Sequence, residues 1–203
     1  MRLSKLAVAL TSLFVFAGAV AIRQQSDGEL EPPAPWQVTK LSTFSPSGRP
    51  GSSPLARILA NVTNPSAIPA GPGASSPSFA PSEANCTVEW AWADAQPYGA
   101  VHECTTAPPA EASSSKWTVE ILESDPGAYA PTEKLDVKFT LTLTSSSDRD
   151  GEAYSKVLVA TQHFEVGDNM RGTCGGSGVC SWGLNEELTP LSIQPTIACE
   201  GTC

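Results

Sequence analysis

The residues of this 203-residue chain with the most distinctive chemistry are six cysteines: Cys86, Cys104, Cys174, Cys180, Cys199 and Cys203. All lie downstream of an N-terminal stretch that reads as an export signal. An even cysteine count in an exported chain means disulfides, because oxidising compartments keep such pairs closed. The sequential pairing is expected: Cys86 with Cys104, Cys174 with Cys180, and Cys199 with Cys203. Cys86 and Cys104 fall on neighbouring predicted strands joined by a turn at Gln96-Pro97-Tyr98-Gly99, and the glycine-rich Cys174–Cys180 segment is flexible enough to close a small ring. The terminal pair has the alternative of joining two chains, giving a monomer or a disulfide-linked dimer. Zinc-type ligation needs C-x₂-C spacings with partner histidines, which the cysteines and the isolated His102 and His163 do not supply. No metal or cofactor is expected.

Catalysis needs a constellation, and none is evident. There is no G-x-S-x-G elbow, and no cysteine is expected to be free as a nucleophile. Paired carboxylates hydrolyse glycosidic bonds, which makes Glu89, Glu103, Glu120 and Asp136 the residues a hydrolase would use; alternation puts Glu89, Glu120 and Asp136 on polar strand faces, where a carboxylate is normally solvated. Asn61-Val62-Thr63 and Asn85-Cys86-Thr87 are glycan acceptor sequons, so Asn61 and Asn85 are expected glycosylation sites, whereas Asn64-Pro65-Ser66 is blocked by its proline. Of the five tryptophans, Trp90, Trp92 and Trp117 share strand faces with Val88, Val119 and Ile121 and are expected in the core. Trp182, which follows the glycine-rich loop, is the expected exposed aromatic contact.

The elements that must position these residues are mostly strands. Residues 1–21 carry Arg2 and Lys5, an apolar run from Leu6 to Phe16 and an Ala19-Val20-Ala21 cleavage site, the pattern of a signal peptide. Secretion to the extracellular space is expected, with no membrane anchoring. Removing the signal takes two of the 12 basic residues and none of the 21 acidic ones, so the mature chain is more acidic than the net −9 of the whole. Such a chain repels phosphate backbones, which argues against nucleic acid as a partner.

Residues 22–35 end in Pro32, Pro33 and Pro35 and are expected to be a disordered leader, or a pro-segment that is removed. The rest, 36–203, is expected to form a single β-rich domain with long Pro/Ser/Gly loops. Leu135, Val137, Phe139, Leu141 and Leu143 alternate with polar residues without a fault, and Val88, Trp90 and Trp92 do the same more briefly. Between Tyr154 and Val166 the apolar parity changes, which predicts a bulge or a break near Thr161. A last strand is expected over Leu191–Ile197. The insertions Pro65–Ser82 and Thr105–Ser115 are expected to be surface loops. The 18 prolines and the absence of a helical period leave an all-β fold, an antiparallel sandwich or barrel of about seven or eight short strands.

This pattern resembles fungal small secreted cysteine-rich proteins, most nearly the Alternaria major-allergen-like family of secreted β-barrels. The resemblance rests on Trp36-x-Val38 opening the domain, the strand from Ile58 to Thr63, Cys86-x₃-Trp90 followed by Cys104, the strand opened by Trp117, and the later pair Cys174/Cys180. The long insertions, the short Cys174–Cys180 loop and the terminal pair depart from it. What the resemblance implies is a secreted, effector-like protein without catalytic activity. It would act by binding a host apoplastic protein or a wall glycan, triggering or modulating plant defence. A wall-glycan or small-ligand binding module and a secreted hydrolase are the other readings.

Overall fold

The faultless alternation from Leu135 to Leu143 forms the middle strand of a sheet, with all five apolar residues buried and the intervening Asp136, Lys138, Thr140 and Thr142 half-buried on the opposite face. The computed structural model describes residues 32–70, 78–92, 96–106, 113–124, 130–146 and 153–201. In chain order its strands are β1 (Trp36–Ser45), β2 (Leu55–Asn64), β3 (Ile68–Pro69), β4 (Ser78–Phe79), β5 (Ser82–Ala91), β6 (Val101–Glu103), β7 (Thr105–Thr106), β8 (Ser113–Leu122), β9 (Lys134–Ser146), β10 (Ala153–Glu165), β11 (Met170–Cys174), β12 (Cys180–Leu184), β13 (Leu191–Ile193) and β14 (Thr196–Gly201). The count exceeds the expected seven or eight because several are two- or three-residue pieces. The expected signal peptide and most of the expected leader lie outside the described residues.

Two antiparallel sheets make a disulfide-supported sandwich. One has the order β11-β12-β1-β2-β5-β7, with β13 also on β1; the other runs β14-β10-β9-β8-β6. Trp36 on β1 and Trp117 on β8 are fully buried and meet edge to face across the gap, with ring centroids 4.6 Å apart. Such an aromatic pair adds about 0.5–1.5 kcal/mol to the burial of its area. Around it pack Leu41, Ile58, Val88, Ile121, Phe139, Leu158 and Phe164, contributed by both sheets.

Three expectations about the strands change. β10 pairs with β9 in unbroken register from Ala153↔Ser146 to Glu165↔Lys134, so there is no bulge at Thr161. The parity change has another cause: Lys156, Leu158, Ala160 and Phe164 point inward, while Val157 and Val159 lie half-buried on the outer face. The Pro65–Ser82 insertion is not simply a surface loop. Its described residues pair Ile68 with Phe79, and Ile68, Ala70 and Phe79 are buried against the core. The expected last strand is two strands in different sheets, β13 on β1 and β14 on β10, with the crossing made at Gln194-Pro195, where proline's missing N–H costs no ladder bond. Trp92, expected in the core, packs against it from the end of its strand and is half-buried.

Candidate functional site

Strand ends and the loops joining them gather at one end of the sandwich. The β1–β2 connection carries Ser47, Gly48, Arg49, Pro50 and Gly51, with Gly48 and Gly51 at positive φ, a backbone that glycine adopts at no steric cost. On one side a Cβ at Gly178 would touch the Ser47 side chain at 3.7 Å, so the tip of the β11–β12 hairpin abuts this loop. On the other side a Cβ at Gly48 would lie 3.9 Å from Cδ1 of Trp92. Trp92 is held there by its backbone N–H, which donates to the Pro54 carbonyl at 3.0 Å. Between the loop and this ring lies a cleft of about 400 Å³ lined by Gly48–Pro54, Ala91 and Trp92. Its lining thus includes Trp92, Arg49, Ser52 and Ser53, residue types suited to a sugar ring or a proline-rich segment.

The hairpin tip is closed covalently. Cys174 and Cys180 are register partners and disulfide-bonded, and the turn between them is fixed by Gly175 N–H to Val179 O at 2.8 Å and Gly178 N–H to Gly175 O at 2.9 Å. The Glu133 carboxylate lies within 4.8 Å of both sulfurs, the only such metal-ligand grouping among the described residues. Its two sulfurs are committed to each other. Cys86 and Cys104 are also bonded, as expected, and Cys199 on β14 is disulfide-bonded; Cys203 lies outside the described residues.

Trp182, expected as the exposed contact, is not one. It pairs with Thr43 and Gly172, half-buried on the inner face with its ring over Gly172, where any Cβ would collide with it and with the Ser181 carbonyl. Its Nε1 is buried without a hydrogen-bond partner. The signal lay in the alternation of Cys180, Trp182 and Leu184, which marks one inward face. Trp92, just past the end of β5 at Ala91, packs against the core and also lines the cleft.

The four carboxylates singled out for hydrolysis each meet a cationic or imidazole neighbour: Glu89 with Arg57 at 4.0 Å, Glu103 with Lys116 at 3.1 Å, Glu120 with Lys138 at 2.9 Å and Asp136 with His163 at 2.7 Å. His163 is held on both sides, Nδ1 by Asp136 and Nε2 by Glu165 at 3.2 Å. Neither ring nitrogen is turned to a nucleophile, so the group braces the outer face of β9 and β10. Burial would lower the His163 pKa, but hydrogen bonds to Asp136 and Glu165, with their charges, outweigh it and raise it above the usual 6.5. The histidine therefore favours the fold below about pH 6.5, and that contribution fades as pH rises through its folded pKa. Proton NMR of the imidazole should show titration above 6.5 and a downward move in Asp136→Asn; an unchanged midpoint in the variant would refute the pairing.

His102 is half-buried on β6 opposite Val119, well apart in sheet order from the His163 group. A last cluster went unseen in the sequence. Lys156 is 4 % exposed, and its Nζ lies 3.0 Å from Glu200 Oε1 and donates to the Pro69 carbonyl at 3.0 Å, while the Tyr154 hydroxyl donates to the same Glu200 oxygen at 2.7 Å. Comparison with known protein families, curated proteins and solved structures returns no match.

Proposed function

We propose that the chain is an exported, non-catalytic binding protein of the fungal effector or elicitor kind, acting in a plant host's apoplast or at the fungal wall to modulate defence or cell death. The observation that carries this reading is the convergence of the disulfide-closed hairpin, the β1–β2 loop and Trp92 at one end of the sandwich. Loops held on a rigid sheet scaffold are where recognition is commonly built. The export pattern, the disulfides and the weak likeness to the Alternaria major-allergen-like family support the same reading. Infiltrating the purified mature protein into leaf tissue, beside a reduced and alkylated sample, should change defence output or cell death only with the oxidised protein. Equal inactivity of both would remove the elicitor role.

The second reading, a wall-glycan binding module, draws on the cleft itself, since an aromatic ring beside a guanidinium and hydroxyls suits a pyranose. Trp92→Ala should then cut retention on chitin or glucan at least tenfold while the protein stays folded, the loss of a stacking contact worth about 1–3 kcal/mol in comparable base-stacking sites. Trp182→Ala, which opens the inner face, should lower stability and leave retention by the folded protein unchanged. Undiminished retention of Trp92→Ala would exclude the cleft as the glycan site.

A further inference from the structure

Two sequons that stand far apart in the chain become direct neighbours in the fold. Asn61 on β2 and Asn85 on β5 are register partners, in the row Lys40, Asn61, Asn85, Thr105 across the seven-stranded sheet. Both belong to the outward-facing parity: the residues flanking Asn61, Ala60 and Val62, are buried, as are Ala84 and Cys86 beside Asn85. Asn85 is exposed and Asn61 half-buried. Directly opposed side chains on one face have Cβ atoms about 4.5–5.5 Å apart. A hexose with its substituents is about as wide as that gap, and the short asparagine side chain cannot splay two glycan cores apart above a flat sheet.

The geometry points to one shared glycosylation site: the folded, secreted protein carries a single N-glycan on Asn61, with Asn85 a reserve acceptor used only when Asn61 is empty. The inference rests on the export reading, because the donor is the lipid-diphosphate-linked oligosaccharide of a eukaryotic secretory pathway. The asparagine carboxamide nitrogen bonds to the anomeric carbon of the donor's first N-acetylglucosamine, loses a proton, and the lipid diphosphate departs. Transfer must precede folding, since β2 is hydrogen-bonded along both edges, to β1 and to β5. Asn61 reaches the transferase first.

The second sequon has a further handicap. Its middle residue is Cys86, which closes onto Cys104, and closure before transfer fixes the sequon within β5 and takes away the freedom a chain needs to enter the transferase. A chain modified at both positions would have to crowd two glycans over neighbouring positions of the β2–β5 ladder, which runs unbroken from Leu55↔Ala91 to Asn64↔Ser82. The glycan therefore occupies the outer face of the seven-stranded sheet and leaves protein contacts to the loop end.

The full chain expressed in a eukaryotic secretory host, with intact-mass measurement and glycopeptide mapping of the secreted material, tests this. Wild-type protein should show one glycan, on Asn61. Thr63→Val, which removes the first sequon while keeping Asn61 and the side-chain shape, should move the glycan to Asn85, and Asn61→Gln should do the same. Asn85→Gln should leave the mass unchanged apart from the substitution. Folded secreted protein with two glycans, with none, or with Asn85 still empty in Thr63→Val would overturn the shared site. Retention in the cell with residues 1–21 still attached would instead mark failure of the export reading.

Discussion

Lys156→Ala is expected to lower the unfolding free energy by about 3–5 kcal/mol, the cost of removing one partner from a buried ion pair. The ammonium is nearly fully enclosed, and its loss leaves the Glu200 carboxylate with Tyr154 alone and the Pro69 carbonyl without its donor. Lys156→Met keeps the packing of the stem and should lose almost as much, whereas the double change Lys156→Met with Glu200→Leu should recover a large part, because it strands no charge. The hydrogen bond from Tyr154 holds the Glu200 carboxyl below its ordinary 4.5, against the opposing effect of burial and with help from Lys156. A depressed carboxylate pKa favours the fold above the unfolded value and is lost as pH falls through the folded one. The denaturant midpoint of wild type should thus drop on acidification below about pH 4.5 more steeply than that of the double variant. Tyr154, pushed up to about 12 by burial and by Glu200, should ionise later than Tyr98 in an alkaline absorbance titration, and earlier in Glu200→Gln. A loss under about 1 kcal/mol in Lys156→Ala would refute the account.

Lys156 also shows where sequence reading stops. β9 was legible because every second residue is a large aliphatic or aromatic side chain, and only a sheet face produces that pattern. β10 offers two competing patterns. The valines at 157 and 159 suggest one parity, and Leu158, Ala160 and Phe164 fix the other, which only the β9 register decides. Choosing the β-branched residues hid the inward lysine and created a bulge that does not exist. Trp182 was misjudged for a related reason: a tryptophan beside a glycine-rich loop looks exposed, yet like Trp92 it is half-buried against the core, because what matters is where the residue sits along its strand. The β3–β4 pair was hidden by the Pro/Ser/Gly composition around it, since Ile68 and Phe79 are isolated apolar residues in a polar stretch and gain meaning only by meeting each other. The Asn61–Asn85 adjacency was equally out of reach, because it depends on register and not on spacing.

Cys86→Ala with Cys104→Ala should cost about 3 kcal/mol, against about 2 kcal/mol for Cys174→Ala with Cys180→Ala, from loops closed over separations of 18 and 6 residues. Location should widen that difference. Both sulfurs of the first pair are buried, and Cys104 is the residue at which the chain leaves β6 in the five-stranded sheet for β7 in the seven-stranded one. Its N–H donates to the Trp117 carbonyl at 2.9 Å, so the crosslink ties β5 to the strand that carries half of the central tryptophan pair. Without it, amide exchange should quicken along β6 and β7 and at Trp117, where the sheets meet. The second pair holds only the hairpin tip, and its loss should speed exchange between Gly175 and Val179 and leave β8 and β9 protected. That contrast separates fold from function: the Cys174/Cys180 variant keeps the sandwich while freeing one wall of the loop end, so lost binding in it reports on recognition. Equal stability losses in the two double variants, with protection at Trp117 unchanged in the first, would refute the assignment of Cys86–Cys104 as the brace between the sheets.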